Sequence, residues 1–172
     1  MRAVLDTNVL LRALIGAKGP TAPILSHLYE DRYTLVYSRP LLAEFLAVTR
    51  RPRLWERHFR HRLDDVNMVV TLMHKRGLRV IPQRQVTICR DPKDNTVLEA
   101  AIAGSADVVV SGDADLLALH PFEGIAIHEP VDFLRLLNEQ PESEQGMKRA
   151  TASITCASAW TDPATSPGSS RP

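Results

Sequence analysis

The chain has 172 residues, enough for one domain with a real core. Hydrophobic residues make up 44% and charged residues 24%, which excludes a disordered or fibrous chain. The net charge of +1 argues against strong nonspecific attraction to nucleic acid, and no apolar run approaches the ~20 residues needed to span a bilayer.

The apolar start is interrupted by Asp6, Asn8 and Arg12 and has no cleavage-like site, so no signal peptide and a cytoplasmic location are expected. Cys89 and Cys156 are the two cysteines, and neither CxxC nor a Cys/His spacing is present. A disulfide framework and a zinc site are therefore excluded. Near-neutral net charge hides an uneven distribution: Arg50, Arg51, Arg53, Arg57, Arg60 and Arg62 crowd one segment.

In chain order, residues 1–6 read as a short buried strand. Asp6 or Thr7 caps a helix that runs to Gly16, with Val9, Leu10, Ala13 and Leu14 on one face. A second helical pattern covers 21–30. YTLVYS at 33–38 is rich in β-formers and predicts a strand. Ser38 and Pro40 then open a helix carrying Leu41, Leu42, Phe45, Leu46 and Val48, which ends at Pro52. Residues 55–76 read as one longer helix ending at Gly77.

Residues 78–81 predict a third strand, and 83–90 an irregular extended stretch. A helix follows over 94–103, with Gly104 as its stop. Val108 to Val110 reads as a buried strand, 113–119 as a short helix, 124–128 as a last strand and 130–138 as a last helix. Strands alternating with helices predict an α/β fold: a parallel sheet covered on both faces. Residues 139–172 are rich in Ser, Thr, Ala and Pro and read as a flexible tail, in which Ile154 and Trp160 leave room for a docking contact.

Asp6, Glu44, Asp94 and Asp113 come from four separate elements, each at or near a strand end or helix start. Open α/β sheets bind ligands in the crevice at the carboxyl ends of their strands. Carboxylates converging there repel and raise one another's pKa unless a cation neutralises them. Oxygen donors suit Mg²⁺ or Mn²⁺. No nucleophilic triad spacing and no GxxxxGK[ST] loop occurs.

VLDTNVLLRAL, YSRPLLAEFLAV, RDPKDNTVLEAAIAGSADVVVSGDADLLAL and FEGIAIHEPVDFL, in this order, make the sequence resemble a PIN-domain ribonuclease of the VapC-like toxin group. The likeness covers about 1–137 and leaves out the tail. It implies a Rossmann-like three-layer PIN domain over 1–138. It also implies Mg²⁺- or Mn²⁺-dependent endonucleolytic cleavage of RNA by an activated water, leaving a 5′-phosphate and a 3′-hydroxyl. A cognate antitoxin and a homodimer are implied as partners, with no membrane.

Carried over from the resemblance, Asp6, Glu44, Asp94 and Asp113 match the family carboxylates as metal ligands and catalytic groups. Asp115 would be an alternate ligand. Thr7 and Asn8 would orient Asp6 or a water, and Ser111 stands where many relatives have Thr. Asn95 stands where close relatives often have a second Asp, which would weaken a second metal.

Simpler readings stand beside these. Asp6, Asp94 and Asp113 also suit helix caps, worth ~1 kcal/mol each. Asp91 reads as a turn residue, and Cys89 as a small packed residue, with metal or oxidant sensitivity the alternative that its closeness to Asp91 leaves open. The arginine cluster reads first as a solvated face. The sharper reading is an RNA-backbone contact by Arg50, Arg51 and Arg53, with Trp55 stacking a base. Two other functions fit the residues less fully: a non-catalytic PIN-like module binding RNA or protein, and a phosphatase using Asp6 as nucleophile, against which Asn8 stands where a second Asp is usual.

Overall fold

The computed structural model describes residues 1–16, 19–59 and 63–139, with only the backbone of Trp55, Phe59 and Leu63. Its five strands are β1 (Arg2–Leu5), β2 (Thr34–Ser38), β3 (Leu78–Val80), β4 (Val108–Val110) and β5 (Ala126–His128). They form one sheet in the order β3-β2-β1-β4-β5, and every pairing is parallel. β1 lies at the centre, with Leu5 opposite Val110. The chain winds outward from β1 through β2 to β3, then crosses back to β4 and β5. The direction of winding therefore reverses between β1 and β4, the place where such sheets leave a crevice.

Short β-branched strands with no polar face must be covered twice. Ala3, Leu5, Leu35, Tyr37, Val108 and Val110 point into one buried cluster. Val4, Val36, Val80, Val109 and Ile127 point into the other. This alternation is the period of two expected of a pleated strand. Helices α1 (Thr7–Ile15), α2 (Ala22–Tyr29), α5 (Leu63–Arg76) and α8 (Pro130–Glu139) fill the first side. Helices α6 (Pro92–Ala103) and α7 (Ala114–Leu117) fill the second. The architecture is the three-layer α/β arrangement that the alternating pattern predicts.

Helix α3 (Arg39–Thr49) belongs to both sides: its Leu41 joins the second cluster, its Phe45 and Val48 the first. It packs on both α1 and α6. Ser38 caps it, with the backbone N–H of Leu41 donating to the Ser38 hydroxyl.

Several elements differ from the sequence expectation. The single helix over 55–76 is instead a short α4 (Pro52–Leu54), a π-helical turn (Trp55–Phe59) and α5. Pro52, expected to stop a helix, starts one, because its fixed φ suits the first helical position. Helix α6 starts at Pro92 rather than Asp94, for the same reason, and Asp91 is its cap. β3 stops at Val80 and leaves Ile81 exposed. β5 starts at Ala126, because Gly124 is held in a turn at φ +84°. No helix among the described residues is long and apolar enough to cross a membrane. Residues 140–172, with Ile154, Cys156 and Trp160, lie outside the described residues, as do Arg60 and Arg62.

Candidate active site at the carboxyl edge of the sheet

Asp6 leaves the carboxyl end of β1 and caps α1. Its Oδ1 accepts from the backbone N–H of Asn8 at 3.2 Å. Its other oxygen, Oδ2, accepts from the Ser111 hydroxyl at 2.8 Å. Ser111 leaves the neighbouring β4, is fully buried, and its Oγ also accepts from the backbone N–H of Asp113 at 3.0 Å. One hydroxyl thus ties two acid-bearing strand ends together across the switch point. Asp113 caps α7 through Asp115, whose N–H donates to Asp113 Oδ1 at 2.8 Å.

Glu44 comes from α3. Its Oε2 accepts from the Thr7 hydroxyl at 3.2 Å, and its Oε1 lies 3.6 Å from Lys93 Nζ. Thr7, expected to orient Asp6 or a water, donates to Glu44, because the first turn of α1 aims it at α3. Asn8 reaches Asp6 only through its backbone, while its side chain is exposed. Asp94 sits in the first turn of α6, behind the cap made by Asp91, whose Oδ1 accepts from Lys93 N. Both expected caps at Asp6 and Asp113 are real, so capping and site geometry are not rivals here.

The four acids reach one another electrostatically. Burial raises the Asp6 carboxyl above its ordinary range. The hydrogen bonds from Ser111 and Asn8 pull it down, and Glu44 and Asp113 push it up. The Asp94 carboxyl is pushed up to about 6, first by burial and then by Asp113, Asp6, Asp91 and Asp115. Such shifts collect where function needs them, although ion-pair networks also produce them.

The cluster is not a closed cage. Among the described residues, no group of three or more carboxylate, imidazole or thiol side chains is disposed to hold a metal ion. Glu44 faces Lys93, and Asp115 Oδ2 lies 2.9 Å from Arg90 Nη2. The donor set nevertheless fits Mg²⁺, which keeps several waters and binds through one or two carboxylates rather than an all-protein cage.

Three cations at this edge were missed in the sequence: Arg90, Lys93 and Arg12. A Cβ placed on Gly112 would lie 3.6 Å from Arg12 Nη1, so that guanidinium stands beside the Ser111–Asp113 turn. Nothing in composition singles them out, because a lone cation beside an acid is the commonest surface pairing.

Asn95, read as a lost acid, has a structural task. Its Oδ1 accepts from Cys89 N at 3.0 Å, and Glu99 one turn on accepts from Val86 N at 3.0 Å. Together they hold the irregular segment 83–90 against α6. The Cys89 thiol is pushed up by burial and then by Asp94, Asp115, Asp113 and Asp91. That disfavours the thiolate form. An open depression of about 450 Å³ lies beside Cys89, Pro92 and Asn95 rather than over the acids. The hydrogen-bonded acid cluster, not concavity, marks the site. Arg50, Arg51 and Arg53 are exposed, and Arg50 lies ~9 Å along the helix beyond Glu44. The Trp55 side chain lies outside the described residues.

A family model described as PIN domain matches residues 2–115. The chain belongs to the PIN domain family. An uncharacterized protein of Methanocaldococcus jannaschii is 27% identical over 119 residues, covering 69% of this chain and 75% of that protein. A chain in the crystal structure of VapBC2 from Rickettsia felis bound to a DNA fragment from their promoter shares the fold. It matches with a TM-score of 0.51 and 15% identity, over 75% of this chain and 98% of that one. The matched segment of the PIN domain model contains all four acids, the Ser111 bridge and both capping turns.

Proposed function

We propose that this PIN domain is a divalent-metal-dependent endoribonuclease, the toxin of a toxin–antitoxin pair. The observation that carries this reading is the cluster itself: Asp6, Glu44, Asp94 and Asp113 arrive from four elements at the switch point, where burial and neighbouring acids raise the Asp6 and Asp94 carboxyls. So many like charges gain little by meeting unless a cation or a proton is meant to join them. Asp6, Asp94 and Asp113 would hold Mg²⁺ or Mn²⁺, with Glu44 and Asp115 as further ligands. The ion would supply an activated water and a counter-charge for the phosphate oxygens.

The chain's own residues then have distinct tasks. Ser111 fixes the Asp6 carboxylate so that Oδ2 stays directed along the β1–β4 seam. Thr7 holds Glu44 at the inner side of α3. Asn8, with its exposed side chain beside Asp6, is placed to orient a water. Arg50, Arg51, Arg53 and Trp55 are proposed to lengthen the RNA path along α3 and α4. A cognate antitoxin that blocks the crevice, supported by the shared fold of the VapBC2 chain, and a homodimer complete the reading. The cell compartment proposed is the cytoplasm, with the segment from 139 onward as a flexible extension.

The test is cleavage of end-labelled RNA with Mn²⁺ or Mg²⁺, with Asp6→Asn run in parallel. Asparagine also caps helices, so the variant keeps its fold. The wild type should give products with a 5′-phosphate and a 3′-hydroxyl, and the variant at least 100-fold less. Equal cleavage by both would trace the activity to a contaminant. A wild type that cleaves no RNA would hand the function to the alternative, a PIN module that binds RNA or protein without cutting.

A further inference from the structure

The turn that opens α6 carries two cations, each tied to an acid on a different element. Arg90 Nη2 lies 2.9 Å from Asp115 Oδ2 on α7, and Lys93 Nζ lies 3.6 Å from Glu44 Oε1 on α3. The segment 90–93 is therefore strung between α7 and α3, with Asp94 directly after it. Both head groups face water, with side-chain exposures of 87% for Arg90 and 57% for Lys93. Ion pairs this exposed add little to folding stability. Yet a crevice that gathers Asp6, Glu44, Asp94 and Asp113 repels a polyanion, so a nucleic-acid strand needs cations at its rim.

We infer that Arg90 and Lys93 grip the backbone phosphates of an RNA strand on the two sides of the acid cluster. The inference rests on the nuclease reading and adds the residues that hold its substrate. Each cation exchanges a carboxylate oxygen for a phosphate oxygen. Arg90 can take a phosphate with two parallel N–H donors, whereas Lys93 acts as a point charge. In the free protein, Asp115 and Glu44 hold the two side chains apart and over the crevice. The contacts are to phosphate alone, so they carry affinity and register but no sequence preference.

The experiment reads binding separately from chemistry. Anisotropy of fluorescein-labelled single-stranded RNA is followed across a KCl series, in EDTA and in Ca²⁺, with gels confirming intact RNA. KM for cleavage in Mg²⁺ is measured alongside. The proteins are wild type, Arg90→Ala, Lys93→Ala and the double variant. Lys75→Ala is the charge-matched control, exposed at the end of α5 that leads into the amino end of β3. Each rim variant should weaken RNA binding or raise KM about tenfold at low salt. Each should also flatten the slope of log affinity against log salt by about 0.7, the value for one phosphate of a single strand. Lys75→Ala should change neither. Rim variants that match Lys75→Ala in affinity, KM and slope overturn the inference even if cleavage falls. A wild type that neither binds nor cuts RNA overturns the nuclease reading itself, so the two failures are distinct.

Discussion

At Asp94, burial and four neighbouring acids act in one direction, and the carboxyl titrates at about 6 instead of 3.8. In protein stripped of divalent ions, the folded state therefore binds this proton more tightly than the unfolded chain. Between about pH 4 and pH 6 the folded state carries more protons, so stability falls as pH rises through that window. The raised Asp6 carboxyl acts with the same sign. Thermal melts in EDTA should show wild type gaining stability as pH is lowered from 7 to 5. Asp94→Asn should gain less, and at pH 7 it should melt no lower than wild type. A variant that melts lower at pH 7 and follows the wild-type pH profile would mean that Asp94 is not under repulsion.

Ser111 poses the opposite case, a buried hydroxyl with both its donor and acceptor roles used. Ser111→Ala leaves Asp6 Oδ2 and the Asp113 N–H without that partner and should cost ~1–3 kcal/mol. It should also abolish most cleavage. Ser111→Thr keeps the hydroxyl and should retain both properties, read by denaturant melts and by the RNA assay.

Among the elements, α6 shows how a sequence signal can be right about position and wrong about cause. Gly104 was expected to end α6, a place where glycine commonly takes a left-handed backbone. Its φ is −92°, in the ordinary right-handed region, and the left-handed residue is Ser105 at φ 46°. Glycine stands at 104 because a Cβ there would strike Val36 Cγ1 on β2. Gly104→Ala should therefore cost ~1–3 kcal/mol as an overpacking strain, with the helix itself intact by circular dichroism. An alanine variant as stable as wild type would show that Val36 can give way.

The start of α6 misled in a related manner. Asp91-Pro92 and Asp94-Asn95 both look like helix starts, and local chemistry cannot rank them. The structure caps with Asp91, which leaves Asp94 to face the other acids and Asn95 to hold Cys89 N. Strand and helix identities were legible because hydrophobic period is local. The π-helical turn at Trp55–Phe59 and the ion pairs of Arg90 and Lys93 were not, because each depends on what another element brings alongside.

Across the whole molecule, the order β3-β2-β1-β4-β5 does what no single element can: it sets the ends of β1 and β4 side by side, joined by the bond from Asp6 N to Val110 O at 3.0 Å. The apolar alternation of the strands dictates a two-sided core, and that core forces the polar chain reversals to the sheet edges. The acids of β1 and β4 thus meet as a consequence of topology, while repulsion between them is a cost the fold carries. A divalent ion that relieves the repulsion should stabilise the folded state alone. At a concentration 100 times its dissociation constant, such an ion adds about 2.7 kcal/mol. For a domain of this size that corresponds to a rise in Tm of roughly 5–10 °C. Mg²⁺ or Mn²⁺ at pH 7.5 should produce that rise in wild type, and a much smaller one at pH 5, where protons compete for Asp94. Asp6→Asn and Asp94→Asn should each lose most of it. K⁺ at matched ionic strength separates ligation from screening, because screening stabilises any acid cluster to a similar extent. A rise of equal size with K⁺, or one retained by both variants, would place the ion's action outside the β1–β4 seam and leave the acid cluster without its cation.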